Sequence, residues 1–402
     1  MNRRKIAIIG GGLGGLSLGY FLSKQGCKVT IFEKENFLGG LAGGFKMEGT
    51  NLDQSYRHIF MTDTDLIDLI IELGLEDKLH WYKSSTALYW QGKIWPFMTP
   101  MDLLKFKPLS LYTKLRMGMV ALWLEYDKNW KKYEKIPAYK WMKKWVGKKA
   151  YNVVWEPLLK GKFDKDYKKI SMAWLWARIH TRGNSSDKKG EERLGYLDGG
   201  FQILVDKLVE KIKNDGGTFN LGVEVNYLRK FKNEFDLVID TRSIKKIDYL
   251  GMMTVIFSSE QDLGKYYWNN INDVKSPFVA LIQHTKLVEK SKYNNKNIYY
   301  LGTYLSQKSN YYKMSDKKIE DEWLNYLKNI FPKFDRKKIS EIKVFKSKIA
   351  QHIVGLNYKV PKYWINKKTY RMNFAQIYPE DRGMNYAVKE AKKLISNLPA
   401  GR

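Results

Sequence analysis

The apolar positions of this chain change period as it runs. Ile6, Ala7, Ile8 and Ile9 form an unbroken apolar run rich in β-branched residues, the pattern of a short strand buried on both faces of a parallel sheet. Leu16, Leu18, Tyr20, Phe21 and Leu22 then predict a packed helix that Gln25-Gly26 ends, and residues 28–32 read as a second strand. Helical spacing returns over 65–73, where Leu66, Ile67, Leu69, Ile70 and Leu73 share a face and Thr64 is the expected cap. Residues 87–97 alternate as a hairpin turning at Gln91-Gly92. From Met101 to Arg178 the pattern is helical and rich in Trp and Lys. An amphipathic helix is predicted over 203–213, and a β-rich region over 251–349 containing one helix at 315–330.

The first strand-to-helix turn carries candidate chemistry. Gly10, Gly12 and Gly15, with Leu13 and Gly14 between the last two, spell G-x-G-x-x-G where the strand enters the helix. The first glycine permits the tight turn, the second lets a pyrophosphate approach the backbone, and the third lets the helix lie close on the sheet. The helix N-terminus offers unpaired N–H groups and partial positive charge to phosphates. Glu33, followed by Lys34, ends the second strand 18 residues beyond Gly15, where a carboxylate accepts both hydroxyls of an adenosine ribose and disfavours a 2′-phosphate. These features in register predict a dinucleotide site.

The Gly39-Gly40 pair that follows resembles the pair after the ribose-binding acid in FAD enzymes of the amine oxidase, phytoene desaturase and protoporphyrinogen oxidase superfamily. That resemblance implies FAD, with Gly40 and Leu41 beside it, although Leu41 stands where the superfamily often has Arg. The segment Tyr56-Arg-His-Ile-Phe resembles UDP-galactopyranose mutases and protoporphyrinogen-oxidase-like proteins and implies His58 near the flavin; a buried, hydrogen-bonded histidine is the alternative. Similarity of 216–228 to a superfamily strand implies Val225 at the adenine end, and residues 235–241 resemble the strand that follows it there. The block Tyr378-Pro-Glu-Asp-Arg-Gly-Met resembles the protoporphyrinogen-oxidase-like group. It implies a strand at Arg371, an irregular loop and a helix from Met384 closing the flavin site, with Asp381, Gly383 and Met384 at the flavin and Asp381 in place of the acid that many superfamily members carry near Asn373. Gln283 stands where that group has Glu before His284.

Composition changes the picture little. A length of 402 residues, 44% hydrophobic, suits two interleaved domains. No stretch is apolar enough to span a bilayer, the N-terminus runs straight into the first strand without a signal peptide, and the single Cys27 is expected to be an inert structural thiol; these features together predict a cytoplasmic protein. The net charge of +29 is spread along the chain among many Asn, Ile and Tyr, as biased composition would give, and no nucleic-acid fold or metal motif is visible. An anionic membrane surface stays open as a peripheral partner on the inner face. Residues 109–124 are apolar with Lys114 and Arg116 interrupting, so they read as a cap helix, or else as an interfacial helix holding those two cations at headgroup level.

The expected fold is α/β, a discontinuous Rossmann-like FAD-binding domain (1–62, 195–245 and 345–402) with an α+β substrate or cap domain (63–194 and 246–344). The expected activity is FAD-dependent oxidation, a hydride passing from a substrate carbon to flavin N5. His58 and His284 are the catalytic candidates, and Arg178, Tyr196 and Tyr386 the candidates for holding a small substrate, apolar or anionic. Arg178 and Arg182, four apart, could clamp a carboxylate or phosphate. The alternative activities are a UDP-galactopyranose-mutase-like reaction without net redox change, and a non-catalytic flavin-binding or membrane-associated role.

Overall fold

The computed structural model describes residues 3–399 except 184, 186–190 and 232. The expected polar stretch at 184–193 therefore falls largely outside the described residues. The chain opens as β1 (Lys5–Ile9), α1 (Leu13–Lys24) and β2 (Lys28–Phe32), with Ile6, Ala7 and Ile8 wholly buried. A hairpin, β3 (Gly44–Met47) and β4 (Thr50–Asp53), leads to β5 (Ile59–Phe60) and α2 (Thr64–Glu72). Thr64 does not cap α2; Asp63 occupies the N-cap position, and its carboxylate accepts the Phe60 N–H at 2.9 Å, so it braces the entering chain rather than the helix. Then come β6 (Leu79–Lys83) and the hairpin β7 (Thr86–Trp90) with β8 (Lys93–Pro96), turning at Gln91-Gly92 as the alternation predicts.

The Trp- and Lys-rich region folds into α3 (Pro100–Lys105), α4 (Leu111–Tyr126), α5 (Ala138–Trp145), α6 (Lys148–Ala150), α7 (Glu156–Phe163) and α8 (Met172–Gly183). Lys114 and Arg116 of α4 point inward, not outward to headgroup level. Lys114 Nζ donates to the Leu104 carbonyl at 2.7 Å, and Arg116 donates to the Trp145 and Lys144 carbonyls at 2.6 and 2.5 Å. Each satisfies the open C-terminus of a neighbouring helix.

The remainder is β9 (Arg193–Leu197), α9 (Gln202–Asn214), β10 (Thr218–Asn220), β11 (Leu237–Asp240), β12 (Tyr249–Ser259), β13 (Trp268–Ile271), β14 (Ala280–Gln283), β15 (Asn297–Ser306), α10 (Asp316–Ile330), β16 (Ile339–His352), β17 (Trp364–Asn366), β18 (Thr369–Arg371) and α11 (Met384–Ser396). One sheet has the order β10-β2-β1-β11-β18-β17, parallel except for β17, and so collects strands from both ends and the middle of the chain. A second sheet runs β16-β12-β15-β14-β13-β7-β8, and β5-β9-β6 form a small third. Helices α1, α9, α2 and α11 pack in one core with the parallel sheet, the cap helices enclose a tryptophan-rich core, and α10 buries Trp323 against the second sheet. The architecture is the expected α/β fold with an α+β partner. Val225, placed by resemblance on a strand, lies in the irregular chain after β10, packed with Ile9 and Phe235.

Candidate functional site

Two glycine turns meet at the carboxyl end of β1. Gly10 has φ +111°, and a side chain there would run into Thr241 Oγ1; Gly39 and Gly40 have φ +102° and +54°. The Gly39 N–H donates to the Gly11 carbonyl at 2.8 Å, which ties the second turn to the first. Gly12 is the N-cap of α1 and supplies no side-chain cap, so the helix presents its first N–H groups unshielded. A methyl on Gly12 would meet nothing nearer than 4.0 Å, whereas one on Gly15 would lie 2.0 Å from the Gly10 carbonyl oxygen and one on Gly14 2.7 Å from Met372. Glu33 reaches under this loop and accepts the Gly11 N–H at 2.6 Å. An open approach, free donors and a carboxylate at the strand end fit the phosphates and ribose of a dinucleotide. Lys34, beside Glu33, is exposed and pairs with Glu35.

Arg57 links this cradle to a cavity of about 820 Å³. One guanidinium nitrogen donates to the Leu41 carbonyl of the second glycine turn and to Ser55 Oγ. The cavity is enclosed by the segment 55–60, by α7 and α8, by β13 and β15, and by the loop entering α11. Phe97, Trp155, Leu158, Leu175 and Trp268 give it apolar walls. Arg57, Arg178, Arg182 and Arg382 line it too. The Nε atoms of Arg57, Arg182 and Arg382 are buried without a hydrogen-bond partner among the described residues. Burial and then the neighbouring Arg382 cation push Arg57 down to about 10, against the pull of Asp53. Arg182 Nε also lies 3.9 Å from Glu192, and Asp63, Glu125, Glu191, Glu192 and Asp381 line the same cavity, so the open Nε donors of Arg57 and Arg382 are the positions left for an acceptor on an occupant. Gly383 and Met384 line the cavity as the N-cap and first residue of α11, again with no side-chain cap.

A polar knot closes one wall. Asp381 accepts from Lys162 Nζ at 2.9 Å, Arg178 Nη1 at 2.8 Å and Trp174 Nε1 at 3.3 Å. Burial alone would raise its carboxyl, but Lys162, Arg178 and Arg382 hold it well below the usual range. Asp381 lines the cavity while holding these internal ion pairs. Tyr304 of β15 accepts from Arg382 Nη2 at 2.9 Å and Lys162 Nζ at 3.3 Å. Burial pushes its phenol up, but Arg382 and Lys162 overcome this and bring it down to about 8. The neighbouring Tyr56 is raised by burial and by Tyr304; its ring packs edge-on to Trp268 and occupies the space that Gly302 leaves by having no side chain.

Of the other predicted residues, His58, Arg178 and Tyr386 line the cavity. His58 Nδ1 lies 3.2 Å from the Tyr267 hydroxyl, and burial, then Arg182 and Arg178, lower its ring to about 3, so it stays neutral. Tyr196 and His284 do not reach the cavity. Tyr196 donates to Asp53 at 2.7 Å in the core, and His284 lies 2.7 Å from the Tyr293 hydroxyl, lowered by burial to about 3. Both sit in packed interior, Tyr196 on β9 and His284 in the turn that follows β14. Lys162, Tyr304, Arg57 and Arg382 were not singled out from sequence. Two of them adjoin residues that were, His58 and Asp381. Lys162 and Tyr304 lie 142 positions apart without a motif. Among the described residues no group of three or more His, Cys, Asp or Glu could hold a metal ion.

Residues 13–258 match the family described as flavin containing amine oxidoreductase. The mitochondrial protoporphyrinogen oxidase of Nicotiana tabacum is 28% identical over 249 residues, 53% of this chain and 48% of the relative. The chain thus spans about half the length of the curated relatives it matches. An oxidoreductase from Methanosarcina mazei superposes with a TM-score of 0.72 at 14% identity, covering 98% of this chain and 100% of that one. A reduced UDP-galactopyranose mutase superposes with a TM-score of 0.74 at 13% identity, covering 99% and 95%. At such identities these two structures establish the shared fold.

Proposed function

The chain belongs to the family of flavin containing amine oxidoreductases, so its cofactor is a flavin, and from that premise we propose that it is an FAD-dependent oxidoreductase acting on an apolar substrate that carries acidic groups. The observation that carries this reading is the link through Arg57 between an open dinucleotide cradle and a large cavity that has apolar walls and the open Nε donors of Arg57 and Arg382. On this reading Gly10, Gly12, Leu13, Gly14, Gly15 and Glu33 hold the adenosine diphosphate, with Gly40, Leu41 and Val225 alongside, and residues 1–62, 195–245 and 345–402 form the cofactor domain. Residues 63–194 and 246–344 form the substrate domain.

Bound FAD supplies the hydride acceptor, its N5. The protein's own groups do the rest. The uncapped start of α11 at Gly383 and Met384 donates toward the cavity, and Arg57 and Arg382 offset negative charge there. Trp155, Leu158 and Trp268 exclude water and hold the apolar body of the substrate, while Arg178, Arg182 and Tyr386 orient its acidic groups. His58 is a neutral hydrogen-bonding group, and Tyr304, beside two cations, is the side chain poised to give or take a proton near neutral pH. A tetrapyrrole precursor, the type of substrate the tobacco relative's name implies, combines an apolar body with carboxylates. We place the protein in the cytoplasm.

A second reading is favoured by the four arginines of the cavity, which would also suit a nucleotide-sugar diphosphate and a mutase-type reaction. One experiment separates the readings. The visible spectrum of the purified protein is recorded, the flavin is reduced anaerobically with dithionite, and air or a quinone is readmitted. Bleaching, recovery and turnover of porphyrinogens support the oxidoreductase. A flavin inert to every acceptor, with UDP-galactopyranose isomerised only by the reduced protein, moves the assignment to the mutase. A bound flavin that neither reduces nor turns anything over leaves a non-catalytic role, and failure to bind FAD removes all three.

A further inference from the structure

Helix α4 leaves an apolar stripe bare. Leu111, Leu115, Met119, Leu122 and Tyr126 follow one another at helical spacing and are 61, 54, 64, 55 and 76% exposed. Its opposite stripe, Met117, Val120 and Leu124, is already buried in the cap core. Met101 and Leu104 of α3 are exposed as well. Trp123 and Trp145 meet at 5.0 Å beside the stripe, with Trp141 behind them. A patch of this size on a well-packed protein marks a contact surface.

Charge identifies what it contacts. Residues 101–150 hold thirteen Lys and Arg against four Asp and Glu. With Lys114 and Arg116 turned inward, the exposed cations are those of the flanking elements, among them Lys105, Lys107, Lys140, Lys143 and Lys144. A second copy of such a face would be repelled. A nucleic acid would match the charge but leave the apolar stripe in water. An anionic phospholipid surface satisfies both, with the stripe in the acyl boundary, tryptophans at the interface and lysines among the headgroups.

The same elements reach the cavity. Ala121 and Glu125 of α4 line it, each next in sequence to a residue of the exposed stripe, and so do Thr99 and Pro100 at the start of α3. We propose that the α3–α4 face docks on an anionic membrane surface and that apolar substrate passes from the bilayer into the cavity beside α4. The docking stands without the redox reading; the route of entry rests on it.

The test is co-sedimentation of the full chain with vesicles of phosphatidylcholine alone and of phosphatidylcholine with phosphatidylglycerol. Binding to the anionic vesicles, weakened but not abolished by raised salt, is expected. The double variant Met119→Glu with Leu122→Glu is expected to lose at least about tenfold in affinity while keeping its circular dichroism and flavin content. If it fails to fold, Lys140→Gln with Lys143→Gln and Lys144→Gln replaces it, with the loss confined to anionic vesicles. The proposal is overturned by no binding, by equal binding to neutral vesicles, by a solution dimer that the glutamate variant splits, or by duplex DNA binding in place of vesicle binding. Vesicle binding by a protein without flavin supports the docking and removes the redox reading. For the route of entry, a bilayer-dissolved substrate is expected to turn over faster on anionic than on neutral vesicles, an advantage the variant loses; equal rates overturn it.

Discussion

Gly12 and Gly15 stand three residues apart in one motif, yet a methyl group on each has opposite consequences. On Gly12 it meets open space, so Gly12→Ala is expected to change stability by less than about 0.5 kcal/mol while intruding on the approach to α1 and weakening FAD binding at least about tenfold. On Gly15 it drives α1 off β1, so Gly15→Ala is expected to cost about 1–3 kcal/mol or more. Thermal melts of the apoprotein with a flavin fluorescence titration check both; a Gly12→Ala protein that binds FAD normally would move the phosphates elsewhere. Tyr304 is argued at the same scale. If it exchanges the proton, the turnover–pH profile has a limb near pH 8 that Tyr304→Phe abolishes, and ultraviolet titration loses one phenol of that pKa. Unchanged profiles would leave Tyr304 a packing residue. The glycines were legible because a motif fixes what each must do. Arg57 was not, because its importance lies in reaching the Leu41 carbonyl from the connection between β4 and β5, at the very residue where a superfamily arginine is absent from the sequence.

At the scale of elements, hydrophobic period placed most strands and helices correctly, including the hairpin at Gln91-Gly92 and the helix capped by Ser315. What it could not give was which way an isolated cation faces. Lys114 and Arg116 interrupt an apolar helix, and sequence alone puts them in water, yet tertiary packing gives them helix ends to satisfy. Arg116→Met keeps the stem and removes the donors to α5. It is expected to lower stability by about 1–2 kcal/mol and leave flavin binding intact. A denaturant melt decides it, and no change would make the two short contacts to Lys144 and Trp145 energetically idle.

For the molecule as a whole, the buried titratable groups set the response to acid, and they pull in opposite directions. Burial lowers His58 and His284 to about 3 and His352 to about 4, so as pH falls through the ordinary histidine range the unfolded chain takes up their protons first and unfolding is favoured. Burial raises Asp53 and Asp63 to about 6, so the folded chain takes up those two protons first and folding is favoured over the same range. Between about pH 6 and pH 4 the two aspartate protons offset two of the three histidine protons, so one unmatched proton remains. Below pH 4 the aspartates are protonated in both states and the offset ends. His58 and His284 still resist protonation, and Asp381, held ionised by Lys162 and Arg178, adds to the loss in the same direction. Stability is therefore expected to fall gently to about pH 4 and steeply below it, each unmatched proton contributing ~1.4 kcal/mol per pH unit. Asp53→Asn removes one offsetting proton. The variant should steepen the gentle region by about one proton, seen as a larger slope of unfolding free energy against pH between 6 and 4. Parallel curves for parent and variant would mean that Asp53 is ionised in the fold, with Arg57 as its effective counter-charge and less need of an anion in the cavity.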